Sequence, residues 1–186
     1  RQLDMDLLRN YYKLPNGNFT TWNINSPTDI SPLYWNNPFT DAYESVSFDE
    51  RETFFGTLNL EYEIMEGLVA SVAMTRETQS RTGQTRHSKG SITESFIGRF
   101  GQGGSQTTED YRRLNLRYNK QLNSDFSLGV ILGLETMDRQ GEFLFASTNG
   151  GFTFPGYYAV AASVARPNVG QSNTRLIHRS AFASAN

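Results

Sequence analysis

Four aromatic residues in the polar connections are the side chains whose chemistry most directly favours ligand binding. Aromatic rings stack on the apolar faces of sugars, while a tyrosine hydroxyl or an indole N–H forms hydrogen bonds. We predict that Trp35, Tyr43, Tyr157 and Tyr158 bind a ligand. The alternative is that these rings pack against neighbouring loops or against another protein.

Other reactive side chains do not have catalytic or metal-binding spacing. His87 and His178 are the only histidines, and no metal-ligand cluster surrounds either one in the sequence. We predict that the first is a solvated loop residue and the second lies at a strand end. Glu61 and Glu63 share one strand face without a catalytic partner nearby. We therefore predict no enzyme activity, no metal and no cofactor.

The glycine-rich stretch GRFGQGGS, at 98–105, invites comparison with phosphate-binding loops. It lacks the Gly-Lys-Ser/Thr ending and a following helix, both of which such loops need to hold a phosphate. We predict a flexible surface loop at this stretch.

Composition favours a sheet with many turns over a helical core. The 186 residues are 13% aromatic and include 16 glycines, and the mean hydropathy is -0.52. The absence of cysteine excludes a disulfide framework. A formal net charge of -2 provides no general excess of basic residues, so we predict no nucleic-acid partner.

Apolar and polar residues alternate in several segments, with the period of a β-strand rather than that of a helix. The predicted strands cover about 52–64, 67–80, 107–121, 126–138 and 173–185. In the first four strands the apolar side chains stand mainly at even positions, among them Leu60, Leu116 and Leu132. Residues 1 to 50 carry turn signals and many aromatics, so we predict ordered loops there.

The predicted connections alternate in length. Short turns at 65–66 and 122–125 alternate with long connections at 81–105 and 139–172. This asymmetry is typical of outer-membrane barrels, which have short periplasmic turns and long extracellular loops. The pattern alone leaves two classes open, a lipid-facing barrel and a soluble all-β protein.

Three motifs then follow one another along the chain. They are YWNNPFTDAYESVSFDERETFFGTLNLEYEIMEGLVASVAM (34–74), ASTNGGFTFPGYYAVAAS (146–163) and HRSAFASAN (178–186). In order and spacing these motifs resemble segments of the SusC/RagA family of TonB-dependent outer-membrane transporters. The likeness runs along most of the chain but covers only a middle slice of a family protein.

The resemblance implies an all-β fold that is part of a large antiparallel transmembrane β-barrel, with about five of its strands and long extracellular loops. Residues 1–186 are then a fragment of the barrel domain, without the plug domain and the TonB box. The implied function is TonB-dependent import of an oligosaccharide or peptide across the bacterial outer membrane. The implied partners are TonB, a SusD-like surface lipoprotein, the rest of the barrel and its plug, and outer-membrane lipid. A soluble all-β carbohydrate-binding module is the alternative.

Overall fold

The computed structural model describes residues 4–33 and 35–186, without the side chains of 30–32. Tyr34, the first residue of the first motif, lies outside the described residues. The elements follow in the order α1 (Met5–Asn10), β1 (Ile24–Ser26), β2 (Asp29–Pro32), α2 (Pro38–Glu44), β3 (Ser45–Met65), β4 (Leu68–His87), β5 (Arg99–Gln121), β6 (Ser127–Phe152) and β7 (Ser163–Ala185). Short 3₁₀ turns lie at Ile92–Glu94 and Val160–Ala162.

The fold is all-β, which confirms the predicted class. Strands β3 to β7 form one antiparallel sheet in which each strand pairs with its neighbour in the sequence. Strands β1 and β2 form a separate antiparallel pair. No helix among the described residues is long and apolar enough to cross a membrane.

Backbone contacts divide the chain into two compact units. Unit 1 comprises Arg1–Glu50, Thr82–Gly104 and Leu144–Gln171, and it contains α1, α2 and the longer connections. Unit 2 comprises Arg51–Arg81, Ser105–Phe143 and Ser172–Asn186, and it contains the short turns that join β3 to β4 and β5 to β6.

All five strands of the large sheet are longer than predicted. Strand β4 continues to His87 and β5 begins at Arg99, so the connection between them is 88–98 rather than 81–105. The connection between β6 and β7 is likewise 153–162 rather than 139–172. The added residues are mostly polar or glycine, and apolar ones such as Phe143, Leu144 and Phe145 are consecutive, so they give no alternation signal. Ladder hydrogen bonds nevertheless form between backbone groups whatever the side chains are.

The two faces of the sheet in unit 2 follow the parity of the residue numbers from β3 to β6. The hydroxyls of Thr57 and Thr75 share one face, 3.2 Å apart, and Arg113 meets Glu135 at 2.6 Å on that same odd-numbered face. In β7 the parity reverses, because the odd-numbered Gly129 lies opposite the even-numbered Asn186. The backbone N–H of each residue donates to the carbonyl of the other at 2.9 Å. Odd positions of β7 therefore share the face of even positions of β6.

We call the even-numbered side of β3 to β6 in unit 2 the apolar face and the opposite side the polar face. The residues of the apolar face include Leu58, Leu60, Tyr62, Ile64, Leu68, Val72, Leu114, Leu116, Val130, Leu132 and Leu134. Leu60, Leu116 and Leu132 are 57%, 37% and 48% exposed. No described part of the chain therefore covers these side chains.

The buried side chains of the described residues lie in unit 1. The buried apolar ones are Phe100, Phe152 and Ala162. Buried polar residues outnumber them, and the most enclosed is Asn37. Hydrogen bonds between loops, rather than a large apolar core, therefore organise this unit.

Candidate functional site

The four predicted ligand-binding aromatics all lie in unit 1. Trp35, Tyr43 and Tyr157 are more than half exposed, whereas Tyr158 is half-buried. Trp35 lies between β2 and α2, Tyr43 lies on α2, and the two later tyrosines lie in the connection between β6 and β7. The first three rings are accessible to a ligand, so the prediction for them stands as a hypothesis.

Tyr43 belongs to a group of three rings that we call the aromatic platform, formed by Tyr12, Phe39 and Tyr43. The Tyr43 ring lies edge-on to Tyr12 at 5.4 Å and is stacked with Phe39 at 5.9 Å between centroids. The guanidinium of Arg9, on α1, lies 5.1 Å from the Phe39 ring centre. The platform therefore combines aromatic faces with a cation, which suits a ligand with both apolar and hydrogen-bonding groups.

The start of α2 is fixed by two buried asparagines. Asn37 is the N-cap, because its Oδ1 accepts a hydrogen bond from the backbone N–H of Phe39 at 3.0 Å, and Pro38 follows at the first helical position. The Asn37 side-chain amide also donates to the carbonyl of Leu8 at 3.0 Å. This bond ties α2 to α1 and so positions Arg9 beside the platform.

Asn36 connects the same turn to the loop between β4 and β5. Its amide nitrogen donates to Asp41 at 2.6 Å and to the hydroxyl of Ser91 at 2.9 Å. Its carbonyl oxygen accepts from the backbone N–H of Ile92 at 2.8 Å. A buried amide with all these partners satisfied specifies one arrangement of the two segments. Trp35, directly before this turn, is thereby held at the surface.

Tyr158 has a structural environment. Its ring meets Phe152 edge-on at 5.5 Å and lies 6.4 Å from Phe100. The guanidinium of Arg86 lies 5.4 Å from the ring centre, and the hydroxyl shares a hydrogen bond with Ser88. These contacts make Tyr158 an anchor for its loop, and they leave the adjacent Tyr157 as the more accessible ring.

A charged network joins this anchor to the platform. Glu44, next to Tyr43, accepts hydrogen bonds from the Lys13 ammonium at 2.9 Å and from the Ser88 hydroxyl at 2.7 Å. Burial raises the pKa of Glu44, but the hydrogen bonds from Lys13 and Ser88 outweigh it, so that the pKa lies below its usual value. The hydrogen bond to Glu44 raises the pKa of Lys13, against a smaller effect of burial.

We expect the Glu44→Gln variant to loosen the loop that carries Tyr157 and Tyr158. At pH 7 amide hydrogen exchange at 153–158 should become about fivefold faster, because losing a partly exposed ion pair costs roughly 1 kcal/mol. The matched control is Glu52→Gln, which removes an exposed carboxylate of β3. An unchanged exchange rate in Glu44→Gln, or an equal change in the control, contradicts the network.

The same network predicts a pH dependence with a definite sign. The pKa of Glu44 is lower in the folded state, so its stabilisation is complete above the unfolded value of about 4.3 and is lost as the pH falls through the folded pKa. The pKa of Lys13 is raised, so its contribution is complete below about 10.4 and is lost as the pH rises through the folded pKa. Protection of 153–158, corrected for intrinsic exchange rates, should therefore be flat at neutral pH and fall on the acid side in wild type but not in Glu44→Gln.

The remaining sequence predictions have mixed outcomes. His87 is not a loop residue, because β4 extends to it, and its Nε2 lies 3.8 Å from a carboxylate oxygen of Glu94. The stretch at 98–105 is not a flexible loop either, since β5 begins at Arg99. Glu61 and Glu63 are exposed strand residues. Among the described residues no group of three or more histidine, cysteine and carboxylate side chains is arranged to hold a metal ion.

Sequence reasoning missed the residues that support Tyr43. Tyr12, Phe39 and Arg9 lie on separate segments, and Lys13 is 31 residues from Glu44 along the chain. Nothing in their local sequence indicates these contacts. The nearest available signal was the unusual number of aromatics in the first 50 residues, which indicated order but not partners.

Comparison with known proteins adds no family assignment. No protein-family model matches the chain, and no curated protein matches it either.

Proposed function

We propose that this chain forms part of the wall and mouth of a SusC-like, TonB-dependent importer that carries an oligosaccharide or peptide across a bacterial outer membrane. The observation that carries the proposal is the apolar face of unit 2, which is exposed in this chain and continuous over four strands. Exposed apolar patches of this extent are uncommon on soluble monomers.

The length of the apolar face supports contact with a bilayer. A tilted strand needs about 9–11 residues to cross the hydrocarbon core. The even positions of β3 from Phe54 to Ile64 are apolar apart from Gly56, which is a span of that length. Strands β4, β5 and β6 present shorter apolar runs on the same side, Leu68 to Met74, Leu114 to Tyr118 and Leu128 to Leu134. A lipid environment removes the cost of exposing these side chains to water.

The polar face supports an aqueous lumen. It carries the charged residues Glu61, Glu63, Arg113, Arg117 and Glu135. Arg113 and Glu135 are paired at 2.6 Å, and both remain partly exposed. Charged side chains at these positions need water or a partner, and the interior of a wide barrel supplies water. Alternation of apolar and charged side chains along each strand is the pattern of such a wall.

The loop aromatics give the proposal a place for substrate. Long connections of outer-membrane barrels face outward, so we assign the connections of unit 1 to the extracellular side. Trp35, Tyr43 and Tyr157 are the exposed rings there, and we assign them to substrate contact. Tyr158 is a positioning residue because its ring is packed. A SusD-like lipoprotein at this side, and TonB acting through the plug, complete the proposed machinery.

A soluble carbohydrate-binding module is the second candidate, and the observation that favours it is the aromatic platform, whose Tyr43 ring is exposed. The two candidates differ in what the apolar face contacts. If the 186 residues expressed alone are monomeric in water and melt cooperatively, the module is correct and the importer is wrong. Aggregation in water that detergent relieves is the result that the importer predicts, because the sheet then has a lipid-facing side and unpaired edges.

Import itself is tested in cells that either contain or lack the full-length protein. Accumulation of a fluorescent oligosaccharide and of a fluorescent oligopeptide is measured with and without a protonophore, which removes the energy supplied by the inner membrane. We expect accumulation of one of the two probes that depends on the protein and is abolished by the protonophore. Accumulation of neither probe, or accumulation insensitive to the protonophore, contradicts the proposal.

A further inference from the structure

Arg112, Thr136 and Arg179 form one row across three adjacent strands on the apolar side of unit 2. The pairing of β5 with β6 is set by the Leu122 N–H to Phe126 carbonyl bond at 2.9 Å and by the pair of Arg113 with Glu135. This register continues along the strands and places Arg112 opposite Thr136. The Gly129 and Asn186 pair sets the register of β6 with β7 and places Arg179 on the other side of Thr136.

An apolar groove of about 330 Å³ begins directly beside this row, toward the short turns. Its walls are leucines of β5 and β6, and it is open at β7 because Ala181 is small. The lining residues are Leu114, Leu116, Leu132, Gly133, Leu134, Ala181 and Phe182. A groove lined almost entirely by hydrocarbon suits an alkyl chain rather than a polar ligand.

Four arginines lie on or beside this row, and two of them, Arg112 and Arg179, are not hydrogen-bonded to a carboxylate of any described residue. Arg76 binds Asp110 through two hydrogen bonds of 2.8 Å, and Arg175 binds Asp138 through two of 3.0 and 2.6 Å. Arg112 lies 3.9 Å from Asp110, which is too far for a hydrogen bond, whereas Arg76 donates to both oxygens of that carboxylate.

Arg179 has no ion pair or hydrogen bond with any described residue. Arg112 and Arg179 therefore retain donors for a further ligand, and guanidinium groups bind phosphate in a bidentate geometry.

We propose that Arg112, Thr136 and Arg179 hold a phosphate of the phosphorylated glycolipid of the outer leaflet, lipid A, with one of its acyl chains in the groove. The inference rests on the proposed placement of unit 2 in the outer membrane. Adjacent strands are about 4.8 Å apart, so two arginines on either side of Thr136 bring their long side chains to one phosphate. On β5 and β6 the row lies at the end of the apolar run away from the short turns, which is the outer-leaflet side of a barrel.

The test measures retention of added lipid on the full-length protein in detergent, by native mass spectrometry. The probes are diphosphoryl lipid A and phosphatidylglycerol, offered at equal concentration. Wild type should retain lipid A preferentially. The Arg112→Gln and Arg179→Gln variants should each bind it about tenfold more weakly, which corresponds to the loss of one charge-assisted hydrogen bond. Ala181→Phe should also weaken retention, because the new ring fills the groove.

Arg117→Gln is the matched control, since Arg117 lies on the polar face and its removal should leave retention unchanged. Equal retention of the two lipids by wild type overturns the inference, and so does wild-type retention in the double variant Arg112→Gln/Arg179→Gln. Failure of this inference is distinguishable from failure of the proposed function. A protein that stays in membranes without preferring lipid A rejects only the lipid site, whereas a water-soluble monomer rejects the importer itself.

Discussion

Replacing Gly151 by alanine is expected to destabilise the loops of unit 1 by about 3–5 kcal/mol. Gly151 has a φ of +81°, a conformation that costs an L-residue energy, and an added Cβ would overlap the carbonyl oxygen of Ile97. That oxygen belongs to the backbone of the loop between β4 and β5, so the loop itself must shift. The opening free energy of 88–98, measured by amide hydrogen exchange, should fall by this amount.

Gly156→Ala is the matched control for this experiment. Gly156 has nearly the same φ, +79°, but no heavy atom lies within 4 Å of an added Cβ. The substitution should therefore cost only the conformational strain, about 1–2 kcal/mol. Equal losses in the two variants would show that the close approach of Gly151 to Ile97 does not hold the connection at 88–98 against the end of β6.

Replacing Leu132 by lysine is expected to destabilise the full-length protein in a bilayer by about 2–4 kcal/mol. Leu132 lies in the middle of the apolar run on β6 and is 48% exposed in this chain. If that face contacts lipid, the lysine must be transferred into hydrocarbon or must snorkel toward the interface. Urea-dependent folding into phosphatidylcholine vesicles measures the loss.

The adjacent residue supplies the control, because neighbouring positions of a strand face opposite sides. Ile131 lies on the polar face and is 39% exposed. If the polar face borders a water-filled lumen, the new charge stays in water, and Ile131→Lys should change stability by no more than about 0.5 kcal/mol. Small and equal effects at both positions would indicate that water bathes both faces, as on a soluble module.

The sequence indicated the strands of unit 2 because their side chains alternate between two different environments. Leu114, Leu116 and Tyr118 alternate with charged or amide residues, and this part of β5 was predicted correctly. The start of β5 was missed because Arg99 to Gln106 contains glycines and polar residues on both faces. Backbone pairing with β6 holds that segment, and this pairing does not require alternating side chains. The Thr148 hydroxyl adds a side-chain contact, because it accepts a hydrogen bond from the Phe100 N–H at 3.0 Å.

Strand β7 shows a second reason why pattern reasoning is incomplete. The strand itself was predicted. Alternation within one strand, however, cannot show whether its odd or its even residues lie on the apolar face of the neighbouring strand. The contact between Arg175 and Asp138 assigns odd positions of β7 to the apolar side, where the small Ala181 lines the apolar groove. This geometry depends on register, which is a property of two strands together.

The candidate site was predictable in its chemistry but not in its assembly. Tyr43 was selected because exposed aromatics in connections suit sugar binding, and it is exposed. Its support by Tyr12 and Phe39, and the packing of Tyr158 on Phe152, arise from contacts between distant segments. Such contacts distinguish an accessible ring from a structural one, and the local sequence around Tyr43 or Tyr158 does not reveal them.

The measurement that most directly tests the central claim is the accessibility of the two faces of unit 2 in intact outer membranes. The 186 residues contain no cysteine, so single cysteines introduced into them report on one position each. The variants are Leu60→Cys, Leu116→Cys and Leu132→Cys on the apolar face, and Asn59→Cys, Arg117→Cys and Ile131→Cys on the polar face.

Labelling by a small water-soluble maleimide reports that a cysteine is exposed to water. Quenching of a bimane attached to the cysteine by brominated lipid reports contact with acyl chains. We predict quenching without maleimide labelling on the apolar face and labelling without quenching on the polar face. Labelling of Leu60→Cys, Leu116→Cys and Leu132→Cys from water, with no quenching by lipid, would contradict the account.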